Sequence, residues 1–366
     1  MILACAARVR SAEQIRRLAG RKLDWEAVIE QAGRQRLTPV VFAALEESAA
    51  EGIPGAVRER LRISSTQHAI HNLKVYAALA EVLAAFSAGG IPVVGLKGIA
   101  LAKTVYSNLA LRPVGDIDLL VRPSDLEAAH DLLLRLDYVP DESVHPQEWY
   151  RTTHHHLAPC DGPGGAARIE LHHHIHPAPW MALIPIGELW QRARPVAAGG
   201  AGFSVFAPED LILHTCLHLS QGRCFLTGLL DLRDVAEVIA VHGRELDWDL
   251  LADRARAYRT AECLYYALWA AEKMLGAEVP AAALRSLAAD RRRGVLDDLG
   301  LKRLIGHALL RGPESRLPVW VMEDVCGTLL SPTEPNPAGM FFKAAGRRLV
   351  QAVMQAAARQ PQPATA

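Results

Sequence analysis

The chain has 366 residues, 50% of them hydrophobic, and its 40 Lys plus Arg balance 40 Asp plus Glu to a formal net charge of zero. That length allows two or three domains, or one large core with helical additions, while the charge balance argues against a surface built to hold nucleic acid, which carries a basic excess. Cys5, Cys160, Cys216, Cys224, Cys263 and Cys326 form no C-x-x-C pair, which suits free thiols in a reducing cytoplasm, and no stretch reads as approaching the roughly 18 apolar residues of a membrane span.

Along the chain, residues 12–88 place apolar side chains three and four apart with few breakers, which predicts a helical region over 1–88. Gly89 and Gly90 end it. Apolar runs at 91–96, 117–121 and 168–175 predict β-strands. Helices are expected at 99–106 and 124–136, the second capped by Ser124 with Glu127 three residues on. Residues 140–167, rich in Pro, Gly and His, read as irregular, with a turn at 161–165. Pro208 suits a first helical position, with Glu209 and Asp210 in the first turn where the helix dipole favours acids. Helices at 229–239, 248–257 and 260–275 follow, and the last residues read as a frayed tail. The expected fold is α+β: a small mixed β-sheet core with helices at 89–200, flanked by helical regions at 1–88 and 201–358, with a disordered tail at 359–366.

The chemistry concentrates in two segments. Gly95-Leu96-Lys97-Gly98 is followed by Arg112-Pro113-Val114-Gly115-Asp116-Ile117-Asp118. In a strand, alternate side chains share a face, so Asp116 and Asp118 would point the same way and Ile117 and Leu119 the other. Unpaired buried carboxylates cost several kcal/mol, a cost that a divalent cation removes, and hard cations take oxygen ligands. Glu170 lies between Ile169 and Leu171 in another apolar run, and would complete the cage from a neighbouring strand. A bare acid-x-acid pair more often serves as turn and capping residues at a strand entry. Lys97-Gly98, Gly115 and the third carboxylate weigh against that here.

These segments resemble the DNA polymerase β-like nucleotidyltransferase superfamily: a glycine-containing strand-to-helix turn, an acid-apolar-acid strand, and one more acid on a later strand. More narrowly, Leu96-Lys97-Gly98, Arg112, Gly115 to Val121 and Ile169-Glu170-Leu171-His172 are similar to the family called uncharacterised bacterial nucleotidyltransferases, as are Pro208 to His214, His218 and Leu230-Asp231-Leu232. The resemblance covers most of residues 20–280. It implies an enzyme that moves a nucleoside monophosphate from an NTP to a hydroxyl of a small-molecule, peptide or protein acceptor and releases pyrophosphate. Asp116, Asp118 and Glu170 would be the catalytic, Mg²⁺- or Mn²⁺-binding set. Lys97, Gly98, Lys103, Arg112, Gly115 and His172 would meet nucleotide and phosphate. Ile99 departs from the superfamily, which has Ser or Gly after the glycine. The alternatives are a toxin-like enzyme acting on tRNA or protein, and a nucleotide- or metal-binding pseudoenzyme or scaffold.

The 15 histidines cluster. His154, His155 and His156, and His172, His173, His174 and His176, raise the question of zinc, since imidazole is a common zinc ligand. If the strand at 168–175 continues, Glu170, His172, His174 and His176 share one face. Structural roles are the favoured reading for most of them, with His172 a candidate neighbour of the carboxylates. His214 and His218, four apart, read as helical packing, Asp231 and Asp234 as salt-bridge residues, and Arg291, Arg292 and Arg293 as a solvated helix end.

Overall fold

The computed structural model describes residues 1–311 apart from 8–9, 166, 178–179, 197–201, 223–224, 227 and 291–294. The expected tail, the end of the C-terminal helical region, the three arginines from Arg291, Cys224 and Cys326 lie outside the described residues.

The first quarter is helical, as its periodicity predicts: Ala12–Ala19, Trp25–Arg34, Thr38–Glu47 and the long Gly55–Ala88 follow a short Ile2–Ala6. Side chains of Ser11 and Asp24 accept hydrogen bonds from the backbone N–H of Gln14 and Ala27 and so fix two helix starts. Gly90, at φ 70, turns the chain out of the long helix.

The sheet has seven strands in the order β3-β4-β5-β2-β1-β7-β6: β1 Val94–Gly95, β2 Ile117–Leu120, β3 Val139–Pro140, β4 Cys160–Asp161, β5 Arg168–His172, β6 Arg194–Val196 and β7 Phe203–Val205. It is mixed, with β2 parallel to β5 and antiparallel to β1. The chain is thus α+β with helical flanks. C-terminal to the sheet come Pro208–Leu217, Leu229–His242, Trp248–Ala257, Ala261–Leu275, Ala281–Ala289 and Val295–Arg311.

Two cores sandwich the sheet. Ile117, Leu119 and Val121 pack with Ala129 and Leu133 of the helix Leu126–Arg135 and with Val75, Leu79, Val82 and Phe86 of the long helix. Leu120 belongs to the other core, with Leu213 and Leu217 and with the N-terminal Leu37, Val41 and Leu45. The N- and C-terminal helices therefore share one core, and the Arg233 guanidinium donates to the backbone carbonyl of Ala6 across it. Asp118 alternates with Ile117 and Leu119, so it falls on the Leu120 side, beneath the helix Pro208–Leu217.

Four expectations need correction. Pro123 opens a 3-10 turn, Pro123–Asp125, that takes up Ser124; the helix starts at Leu126, and the Ser124 hydroxyl bonds Asp125 instead of capping. The run at 168–175 leaves the ladder after His172, because the N–H groups of His173 and His174 both turn to the carbonyl of His155. Residues 140–167 contain β4 and the helix Gln147–Thr153. Finally, Gly55–Ala88 does include an 18-residue window apolar enough for a membrane span by length and composition, with 39% of it buried inside the protein; it serves here as the long helix packed under the sheet.

Candidate active site

The parallel ladder between β2 and β5 sets Asp118 directly opposite Glu170, and Leu120 opposite His172. Both carboxylates therefore stand on the same face of the sheet, one strand apart. Asp118 has no exposed surface and the Glu170 side chain only 17%. Repulsion between them is offset by the Lys97 ammonium and by the His172 ring. Lys97 Nζ lies 2.5 Å from Asp118 Oδ1 and 3.7 Å from Glu170 Oε2. His172 Nε2 lies 2.9 Å from Asp118 Oδ1 and 3.4 Å from Glu170 Oε2.

Electrostatics follow from this packing. Burial opposes the charged form of Asp118, but the Lys97 ammonium and the hydrogen bond with His172 outweigh it and hold the carboxyl below its usual value. Glu170 is likewise held well down, against burial, by His172 and Lys97. Burial works against charge on Lys97 and on His172 too, yet the two carboxylates raise both pKa values. Asp118 Oδ2 and His172 Nδ1 are buried and hydrogen-bonded to nothing among the described residues. Asp118, Glu170 and His172 each offer one ligand atom, and these lie within 4.8 Å of one another.

Other sequence-marked residues take different places. Asp116 precedes β2 and is partly exposed; its charge bears on Lys97 and on Arg36. Gly115 is exposed beside it, with Arg36 Nη2 near the position of a Cβ. Lys103 is exposed in the last turn of the helix Lys97–Thr104, about 9 Å along the axis from Lys97.

Arg112 is only 5% exposed and faces away into a second ion pair. Its Nη2 lies 2.7 Å from Asp234 Oδ2, its Nε lies 3.2 Å from both oxygens of that carboxylate, and Tyr106 adds a hydroxyl bond of 2.8 Å to Oδ1. Asp231 is 3.9 Å from Arg112. Asn72 then fastens the same loop, donating to the carbonyls of Leu109 and Arg112 and accepting from Val114 N–H. These bonds aim the chain into β2 and so place Asp116 and Asp118. Gly98 is part of the same arrangement: a Cβ there would lie 2.9 Å from Arg112 Nη1.

Three site neighbours were not placed beside the carboxylates by the sequence reading. His156 Nε2 lies 3.9 Å from Glu170 Oε2. His214, in the helix Pro208–Leu217, is fully buried; burial first, then the charges of Lys97 and His172, push its pKa down to about 3. His176 is also buried, with its pKa pushed down to about 4. The one available signal was His214 itself, since every neighbour in its helix from Leu211 to Leu217 is buried, and a helix apolar all round offers its histidine no solvent.

An α+β protein that sets two carboxylates in register on parallel strands, beside a lysine from a glycine-containing strand-to-helix turn, gathers the side chains that could hold a metal ion. Comparison with protein families matches residues 21–276 to the family described as uncharacterised nucleotidyltransferase, and the chain belongs to that family. The match runs from the N-terminal helices through the sheet to the helix Ala261–Leu275. No curated protein and no solved structure matches the chain.

Proposed function

We propose that the chain is a metal-dependent nucleotidyltransferase of the DNA polymerase β-like type, with Asp118 and Glu170 at its centre. The observation that carries this is their opposed register on β2 and β5 in a member of a nucleotidyltransferase family. The donor set fits a hard cation: Asp118 Oδ2 is a buried oxygen that the described residues leave unbonded, and carboxylates are the ligands Mg²⁺ and Mn²⁺ take. Asp118 and Glu170, with Asp116 at the mouth of β2, would hold the ion. Bound there, it would supply the charge that stabilises the entering and leaving oxygens at the α-phosphorus.

The chain's own groups do the rest. Lys97 carries an ammonium at the turn, where it neutralises phosphate, and the first amides of the helix Lys97–Thr104 add to the same field. His172 offers a further donor. Arg112 acts by holding the loop, and Lys103 serves at the surface. An acceptor hydroxyl attacks the α-phosphorus, the bond to the bridging oxygen breaks, pyrophosphate leaves, and the hydroxyl proton passes to solvent. The balanced net charge favours a small-molecule, peptide or protein acceptor over nucleic acid.

The test needs no acceptor. Thermal shift with each common NTP and Mg²⁺ or Mn²⁺ is compared between wild type and Asp118→Asn. A ligand at a hundred times its Kd stabilises by about 2.7 kcal/mol, so a metal-dependent shift is expected in wild type and absent from the variant. No shift with any NTP would overturn the reading. The ion pairing of both carboxylates with Lys97 and His172 favours a second reading, a nucleotide- or metal-binding scaffold without turnover. A shift without transfer of α-labelled phosphate to any acceptor fraction would select it.

A further inference from the structure

Beside the carboxylates stands a second constellation, built from His154, His155 and His156. The helix Gln147–Thr153 ends at His154, where the backbone becomes extended (φ −106, ψ 170). The chain then runs against the end of β5. His156 bridges His172, Leu157 N–H donates to the Leu171 carbonyl, and the N–H groups of His173 and His174 donate to the His155 carbonyl. This lacing draws three consecutive rings together: their centroids lie 4.4 Å apart for His154 and His155, 4.1 Å for His154 and His156, and 4.9 Å for His155 and His156.

Their nitrogens are arranged for a ligand. One nitrogen from each ring falls within 4.8 Å of the other two. Nδ1 of His154 and Nδ1 of His155 are buried and hydrogen-bonded to nothing among the described residues, and buried polar atoms are nearly always satisfied. In His156, Nδ1 donates to the Leu157 carbonyl at 2.6 Å, which leaves the lone pair on Nε2. A hydrogen bond from the other ring nitrogen to a carbonyl is the usual way a metal-binding histidine is oriented. Tyr150 and Trp149 wall the cluster with aromatic surface.

We propose that His154, His155 and His156 form a site for a divalent transition-metal ion of the zinc class, distinct from the carboxylate site beside it. Three imidazoles form the protein part of a four-coordinate zinc centre with one open position, and imidazole favours zinc, cobalt and nickel over magnesium. Neutral imidazoles present lone pairs to a cation and bring no positive charge to a phosphate. His155 and His172 have ring centroids 5.2 Å apart, and His156 Nε2 is 3.9 Å from Glu170. An ion in the triad therefore adjoins the Asp118 and Glu170 centre without using its carboxylates as the primary ligands. The site stands on these contacts alone and does not require the chain to transfer nucleotides.

The experiment uses the untagged full chain, stripped with chelator and then loaded with Co²⁺ or Zn²⁺. After excess metal is removed, retained metal is measured by elemental analysis, and Co²⁺ by its visible ligand-field absorption. Wild type, Asp118→Asn and the remote surface variant His242→Gln should each retain about one ion per chain, whereas His154→Gln and His155→Gln should lose it. Circular dichroism identifies any variant that fails to fold, and the two triad variants guard one another. No retained ion in wild type, or full retention in both folded triad variants, overturns the proposal. So does loss in a folded Asp118→Asn, which would move the ion to Asp118, Glu170 and His172. Because the readout contains no nucleotide, its failure leaves the NTP-dependent thermal shift standing, and the reverse also holds.

Discussion

Lys97 reaches Asp118 from a left-handed backbone, its φ at 45 and its ammonium 2.5 Å from Oδ1. A non-glycine residue in that region costs about 1–2 kcal/mol, and such strain gathers at functional turns. The strain is held because the ion pair fixes the side chain where two carboxylates meet. Lys97→Met leaves Asp118 and Glu170 facing each other with His172 alone. Breaking a buried pair costs about 3–5 kcal/mol, so metal-free Lys97→Met should unfold at markedly lower urea than wild type. Mg²⁺ should restore part of that loss, and the triphosphate-dependent thermal shift should weaken. Unchanged urea stability would mean that Lys97 does not neutralise the pair.

Arg112 is committed to Asp234, 122 residues away. Arg112→Met should cost about 3–5 kcal/mol, because it strands a buried carboxylate. Asp234→Leu should cost a similar amount, and the double variant much less than the sum, since the two changes remove one interaction. Urea unfolding of the two single variants and the double closes the cycle. If Arg112 were instead a phosphate ligand, its variant would keep its stability and lose the NTP shift.

Gly98 leads to a related test. A methyl group there would meet Arg112 Nη1 at 2.9 Å and Val114 Cγ1 at 3.6 Å, and the guanidinium cannot retreat while it holds Asp234 and the Pro113 carbonyl. Overpacking of this kind costs about 1–3 kcal/mol. Gly98→Ala should therefore destabilise the wild-type background, and the penalty should shrink in the Arg112→Met background. An equal penalty in both would show that Arg112 is not what requires the glycine.

The sequence made Asp118 and Glu170 legible because Asp116 and Asp118 alternate at an apolar run, beside Lys97-Gly98 and Gly115, and Glu170 interrupts another such run. It could not show that Asp118 and Glu170 are in register, which depends on the parallel pairing of β2 with β5. Strands of two or three residues, such as β3, β4, β6 and β7, are too short to display alternation in the sequence and take shape only by pairing with the strands beside them. Ser124 and Glu127 matched a capping pattern, but Pro123 started its own turn one residue earlier. Arg112 looked like a free cation because its partner is far along the chain. The three consecutive histidines raised the question of zinc, but in a segment read as irregular nothing fixed where their rings point; the change from helix to extended chain at His154 brings them together.

His214 gives the fold a dependence on acid. Its ring is fully buried, Nε2 meets no hydrogen-bond partner among the described residues, and its pKa is pushed down to about 3 by burial, then by Lys97 and His172. In the unfolded chain a histidine titrates near about 6.5. Between those values the unfolded state binds the proton and the folded state does not, so stability rises with pH through this window. It falls as pH drops from about 6.5 toward about 3. The limiting slope for one such group is about 1.4 kcal/mol per pH unit. His214→Leu removes the group and its unpartnered nitrogen while keeping an apolar side chain under the helix. Urea unfolding at about pH 7 and about pH 5, with chelator present, should show a smaller acid-induced loss in the variant than in wild type, the difference approaching one proton. Identical losses in both proteins would mean that His214 is protonated in the folded state as readily as in the unfolded one, and that the helix Pro208–Leu217 does not seal the site beneath it.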